Sequence, residues 1–319
     1  MIHKRKKIVV IGGGTGTFTV LSGLKKYPVE LTAIVSMADD GGSTGVLRDE
    51  FGMLPAGDIR RALVALSSYP EKFLTDLFTY RFRDSEVDGH NFGNLILVAL
   101  ERVTGSFEHA VAAASRLLDV RGTVLPVTFS NIRLFAELEN GEVIKGETNI
   151  DIPKHDGRLR ITRVWLEPEG QANSKAIQAL QDADMIVVGP GDLFTSIIPN
   201  FLISGIQTAL RKSKAKKIYV MNLMTKHGET NGFSGGDFLR ILHTYLGADI
   251  FDAVLINHTR PPEYILRRYK KEMAEWVSYK DLPRNKQTKP HFVKASLLRH
   301  GNYARHDSVR LGKALMNML

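Results

Sequence analysis

The chain contains no cysteine. That excludes a disulfide framework, a thiolate nucleophile, an iron–sulfur cluster and any cysteine-ligated zinc. No apolar run approaches the ~18 residues of a membrane span. The opening basic residues are followed only by Ile8–Ile11 before glycine. This is too short for a signal-peptide core and lacks a small-residue cleavage site. The sequences G-x-x-x-x-G-K-[ST] and H-E-x-x-H are both missing, so ordinary P-loop ATPases and zinc proteases are excluded. No zinc-finger spacing or aromatic RNP pattern points to nucleic acid. The expectation is a soluble cytoplasmic protein, with no nucleic-acid partner and no membrane span.

What is present is a chain of 319 residues, long enough to bury a large core unaided. Its net charge of +9 is unevenly placed. From Arg260 to Leu319 there are 14 Lys and Arg against five Asp and Glu, so the first 259 residues balance to zero. A basic C-terminal segment can attract an acidic protein partner, or simply be a solvated face.

Ile8–Ile11 reads as a buried strand. The stretch that follows carries Phe18, Leu21 and Leu24 on one helical face, stopped by Pro28, and Leu31–Val35 is a second strand. Strand, helix and strand in so few residues make a βαβ unit, so the sheet begins parallel. Ile59–Leu66 reads as a helix with Asp58 as its N-cap. Phe92–Arg102 and Phe107–Leu118 read as two more. Val124–Thr128, Leu134–Glu139 and Ile161–Leu166 read as strands, and Asn140-Gly141 is a hairpin signal. Antiparallel structure is therefore expected between 124 and 166. Met185–Val188, Ile218–Met221 and Val254–Ile256 are further buried strands, and Asp281–Pro290 has the composition of a linker. The fold class is α/β: a doubly wound, mostly parallel, Rossmann-like sheet with an antiparallel insertion. Residues 1–259 form the nucleotide-binding domain, with 260–319 as a basic extension packed on it.

Five polar loops stand near strand ends or helix starts: Gly12–Thr17, Asp39–Gly45, His90–Asn94, Gly189–Asp192 and Asn222–Ser234. In open parallel sheets, ligands bind beyond the carboxyl ends of the strands. Gly12, Gly13, Gly14, Thr15 and Gly16 join the first strand to a helix, an arrangement that suits a phosphate or a plain tight turn. The dinucleotide fingerprint is incomplete. Its third glycine is Thr17, and Thr32 stands where an acid is expected about 20 residues on, which counts against NAD. Asp39 and Asp40 are adjacent carboxylates that a Mg²⁺ bridging to phosphate would compensate; capping a turn is the alternative. Gly41–Gly45 fits G-x-S-x-G, but Ser43 lies too far past its strand for a nucleophile elbow. Arg60 or Arg61 can clamp phosphate or form a surface ion pair. Asn91 and Asn94 can share a helix face and read a base or sugar edge, or cap a helix. Gly189, Gly191 and Asp192 end a buried strand where backbone can touch a ligand, and Asn222 ends another. His227 and Glu229 are an acid/base or metal-ligand candidate on what reads as a solvated loop.

Six segments occur in order: KIVVIGGGTGTFTVLSGLK, SMADDGGSTGVLRDEFG, PAGDIRRALVAL, HNFGNLILVAL, VVGPGDLFTSIIPN and VMNLMTKHGETNGFS. From about Lys7 to about Arg260 they resemble the bacterial gluconeogenesis factor family (YvcK-type). That family is similar in fold to 2-phospho-L-lactate transferase, which moves a phospholactyl group from a guanosine diphosphate-linked donor to a deazaflavin precursor. The resemblance implies a cytoplasmic regulator needed for cell shape and wall synthesis on gluconeogenic carbon. It implies a UDP-sugar ligand such as UDP-N-acetylglucosamine at the Gly12–Gly16, Asp39–Asp40, Asn91–Asn94, Gly189–Asp192 and Asn222 loops, and no established reaction. A Mg²⁺-dependent transferase on a nucleotide-diphosphate donor is the alternative and an NAD-binding protein the second alternative. A homo-oligomer is left open.

Overall fold

The computed structural model describes residues 5–69, 71–84, 87–283 and 289–319. The linker-like stretch Asp281–Pro290 lies partly outside them. Among the described residues there are ten strands: β1 Lys7–Gly12, β2 Glu30–Val35, β3 Thr123–Pro126, β4 Arg133–Leu138, β5 Val143–Lys145, β6 Ile161–Glu167, β7 Met185–Val188, β8 Lys216–Val220, β9 Ala253–Asn257 and β10 His291–Ala295. Seven form one sheet in the order β10-β9-β8-β7-β1-β2-β3, with every neighbouring pair parallel. Parallel strands of this kind are covered on both faces, and β1 and β7 accordingly read as unbroken apolar runs with all their Ile, Val and Met side chains buried. The chain starts in the middle, works outward through β2 and β3, then returns to β7 and works the other way. The direction reverses between β1 and β7, which opens a crevice at their carboxyl ends.

Two expectations are corrected. β3 is not part of the antiparallel insertion: it pairs parallel with β2, Thr32 opposite Thr123. The insertion is the smaller sheet β5-β4-β6, whose hairpin turns at Asn140-Gly141 as the sequence indicated. The region from Arg260 onward supplies edge strand β10, in register with β9.

The last helix, Ser308–Met316, lies against the first, Gly14–Leu24. The two cross at Gly23 and Gly312, where the backbones approach so closely that a Cβ on Gly23 would overlap the Ser308 carbonyl. This crossing is the clasp that returns the C-terminus to the start of the chain. Gly23→Ala should therefore cost about 1–3 kcal/mol of overpacking, read as a lower urea midpoint. An unchanged midpoint would mean that the helix does not dock there.

Candidate functional site

A cavity of about 390 Å³ opens at the carboxyl ends of β1, β2 and β7. Six helix starts meet around it: Gly14–Leu24, Gly42–Phe51, Gly57–Leu66, Phe92–Thr104, Glu147–Asp151 and the π-helical turn Leu193–Ile197. Helix starts carry unsatisfied N–H groups and the positive end of the backbone dipole. The site's electrostatics follow from which of these ends the protein satisfies with its own carboxylates.

Three are satisfied. Gly14 N–H donates to Asp58 Oδ1 at 2.9 Å, and a Cβ on Gly13 would overlap the other Asp58 oxygen. Asp58 is thus not the N-cap of its own helix, which begins at Gly57 without a side-chain cap; its carboxylate serves the first helix instead. Asp40 accepts from the backbone of Glu147 at 3.2 Å and Thr148 at 2.9 Å, and pairs with Arg133 at 3.7 Å. Glu229 accepts from Phe194 N at 2.9 Å and Thr195 Oγ1 at 3.0 Å. The loop bearing Glu229 was expected to be solvated, yet Thr225, Glu229 and Thr230 are buried.

The expected site residues divide accordingly. Gly14, Thr15, Asp39, Asn91, Asn94 and Asp192 line the cavity. Gly12, Gly13 and Gly16 build the turn beneath it; a Cβ on Gly16 would overlap the Pro190 carbonyl, so this glycine lets the first turn rest on the β7 loop. Gly189 N–H donates to Ile11 O at 3.0 Å, tying the two strand ends together. Asn222 braces this loop by donating to Gly191 O at 2.8 Å. Asn91 caps its helix, accepting from Asn94 N at 3.2 Å. Of the two adjacent aspartates, Asp39 faces the cavity, while both Asp40 oxygens are engaged by the insertion.

The insertion contributes residues the sequence did not single out: Glu147, Thr148, Asp151 and Ile152. It is anchored by Arg48, a buried guanidinium that donates to Asn131 Oδ1 at 3.0 Å and to the Ile132 carbonyl. No local signal marks Glu147, whose short segment reads as an ordinary turn; its place is set by Asp40, 107 residues earlier. Arg81 was likewise unmarked.

The carboxyls crowd one another. Burial, then the Asp58 charge, raises Asp39; burial and Asp39 push Glu147 up to about 9; burial and Asp192 push Glu229 up to about 8. Carboxylate oxygens of Asp151, Asp192 and Glu229 lie within 4.8 Å of one another, a possible cation set. The Lys226 ammonium already compensates that set, 2.7 Å from Asp151 and 3.5 Å from Asp192. Asp39 is the better candidate for a Mg²⁺ that takes its remaining ligands from phosphate and water.

Residues 8–298 match the model of the family described as 2-phospho-L-lactate transferase CofD. The chain is 40% identical to the gluconeogenesis factor of Bacillus subtilis over 319 residues, covering 99% of each. It is 43% identical to the gluconeogenesis factor of Listeria innocua over 265 residues, 82% of this chain and 80% of that one. A crystal structure of a UPF0052 family protein from Bacillus halodurans superposes with a TM-score of 0.91 at 37% identity, covering 98% of this chain and 99% of that.

The raised carboxyls have a consequence for pH. The Glu147 carboxyl keeps its proton to about pH 9 in the fold but releases it at its ordinary value of 4.5 when unfolded. The unfolded state then binds fewer protons, so stability falls as pH rises through that window. Glu147→Gln removes this contribution. The variant should melt above the parent at pH 8 and converge with it below pH 4.5; parallel curves across the whole range would refute the assignment.

Proposed function

We propose, from the premise that this chain belongs to the CofD family and within it to the gluconeogenesis factors, that its cavity binds the diphosphate of a UDP-sugar. Binding makes the protein a sensor that links carbon supply to wall synthesis and cell shape. The observation that carries this reading is the division of one cavity between carboxyls and arginines. Asp39, Asp58, Glu147, Asp151 and Asp192 line it together with Arg60, Arg61 and Arg81. A diphosphate with a divalent cation has this polarity: the cation answers Asp39 and the phosphate oxygens answer the guanidinium groups.

Recognition is favoured over turnover by what the polar groups are already doing. Among the described residues, no histidine lines the cavity. Asp58 is held by Gly14 and Arg61, Asp151 and Asp192 by Lys226. A general acid or base needs reach to a reacting atom, and these carboxyls are committed to structure.

The alternative, a transferase acting on a nucleotide-diphosphate donor, draws on the family match and on Asp39. Phosphoryl-type chemistry can run largely on positioning and a metal. The NAD reading is opposed by Asp58, whose carboxylate stands where a pyrophosphate would meet the first glycine turn.

A UDP-sugar at 100 times its dissociation constant should stabilise the protein by about 2.7 kcal/mol. Mg²⁺ should enhance the shift, and Asp39→Asn should abolish the enhancement. Stabilisation by NAD with none by UDP-sugars would overturn the reading. UDP or UMP released from the nucleotide sugar by wild-type protein, and not by Asp39→Asn, would favour the transferase.

A further inference from the structure

We infer that the cavity holds a phosphate group at the N-terminus of helix Gly42–Phe51, between Arg60 and Arg81, and not on the Gly12–Gly16 turn that a Rossmann-like fold would nominate. The inference deepens the nucleotide-sugar reading, since it concerns the same cavity, but its test separates the two.

The first turn is taken. Gly14 N–H is bonded to Asp58 Oδ1 at 2.9 Å. A phosphate there would have to displace one carboxylate and would gain no charge advantage in doing so.

The helix Gly42–Phe51 keeps its own first amides by contrast: the Asp39 carboxylate accepts from the preceding Gly41 N–H at 3.0 Å and stops there. It runs ten residues and has no side-chain cap. Among the described residues, the Gly42 and Ser43 amides have no acceptor. The Ser43 hydroxyl oxygen accepts from Asn91 N at 3.0 Å and Asn94 Nδ2 at 3.4 Å, which leaves its hydrogen to donate elsewhere. Two amides and a hydroxyl around a positive dipole end form a receptor for a tetrahedral oxyanion.

The independent observation is Arg60. It is 7% exposed and lines the cavity. One guanidinium nitrogen donates to Phe78 O at 2.8 Å, while Nε has no partner among the described residues. Asp39 and Asp58 exert the nearest opposing charges on it, yet neither forms an ion pair with it. A buried guanidinium without a directly paired counter-charge is costly, and an anion in the cavity would relieve it. Arg81 also lines the cavity, its guanidinium 3.8 Å from where a Cβ on Gly42 would sit, bonded to the Gly89 carbonyl and, among the described residues, paired with no acid. Two forks and two amides match the three free oxygens of a terminal phosphate better than the two of a carboxylate.

The test is calorimetric titration of the full chain with inorganic phosphate and pyrophosphate, for wild type, Arg81→Ala, Arg60→Lys and Ser196→Ala. Ser196 lies beside the first glycine turn. Arg81 is exposed, so its variant carries the test if the buried Arg60→Lys fails to fold. Loss of one charge-assisted contact should weaken phosphate about tenfold in Arg81→Ala, while Ser196→Ala binds as wild type does. No heat with wild type, or loss in Ser196→Ala with retention in Arg81→Ala, would overturn the inference. Repeating the series with a UDP-sugar separates the claims. Undiminished binding of both phosphate and UDP-sugar by Arg81→Ala sinks the subsite and keeps the nucleotide reading. Arg81-dependent phosphate binding with no UDP-sugar binding does the reverse. Displacement of phosphate by UDP assigns the subsite to the nucleotide, and simultaneous binding assigns it to a separate phosphorylated ligand; either result supports it.

Discussion

The hydrogen bond from the Gly14 amide to Asp58 is the contact on which the arrangement of the site depends. It spans 44 residues and ties the helix after β1 to the helix Gly57–Leu66. In doing so it fills the one helix N-terminus that a doubly wound fold normally offers to phosphate. The glycines beside it are required by this contact, since any side chain on Gly13 would collide with Asp58. A glycine-rich first turn is therefore compatible with a protein that reserves its free dipole ends for a neighbouring loop.

The antiparallel insertion repeats the device. Asp40 caps the short helix Glu147–Asp151, and Arg48 pins the start of β4. These contacts bring Glu147 and Asp151 into the cavity wall and crowd its carboxyls, which are raised because burial and one another's charge oppose ionisation. In the proposed binding mode a cation would answer that crowding at Asp39, and an oxyanion would answer Arg60 and Arg81. The polarity of the cavity thus arises from two long-range capping carboxylates and one buried arginine anchor.

Much of this was legible in the sequence. The β-branched runs of β1 and β7 and the glycine turns after them give the parallel sheet and its crevice, and the Asn140-Gly141 turn gives the hairpin. What local reading missed has physical reasons. The helix Gly42–Phe51 begins Gly-Ser-Thr-Gly, a run of poor helix formers, so it reads as loop. β3 has the composition of a strand in either sheet, and only its partner decides which. β10 is an edge strand with charged and half-buried positions, as edges commonly are. Asp58 has the position of a local cap, yet its partner is 44 residues distant. Nothing near Glu147 or Arg81 in sequence announces the cavity.

The most direct measurement is a crystal structure of the protein grown with UDP-N-acetylglucosamine and Mn²⁺. The account predicts a Mn²⁺ anomalous peak beside Asp39, a phosphate on the Gly42 and Ser43 amides, and Asp58 still bonded to Gly14. A diphosphate seated over Gly12–Gly16 with Asp58 swung away would contradict it.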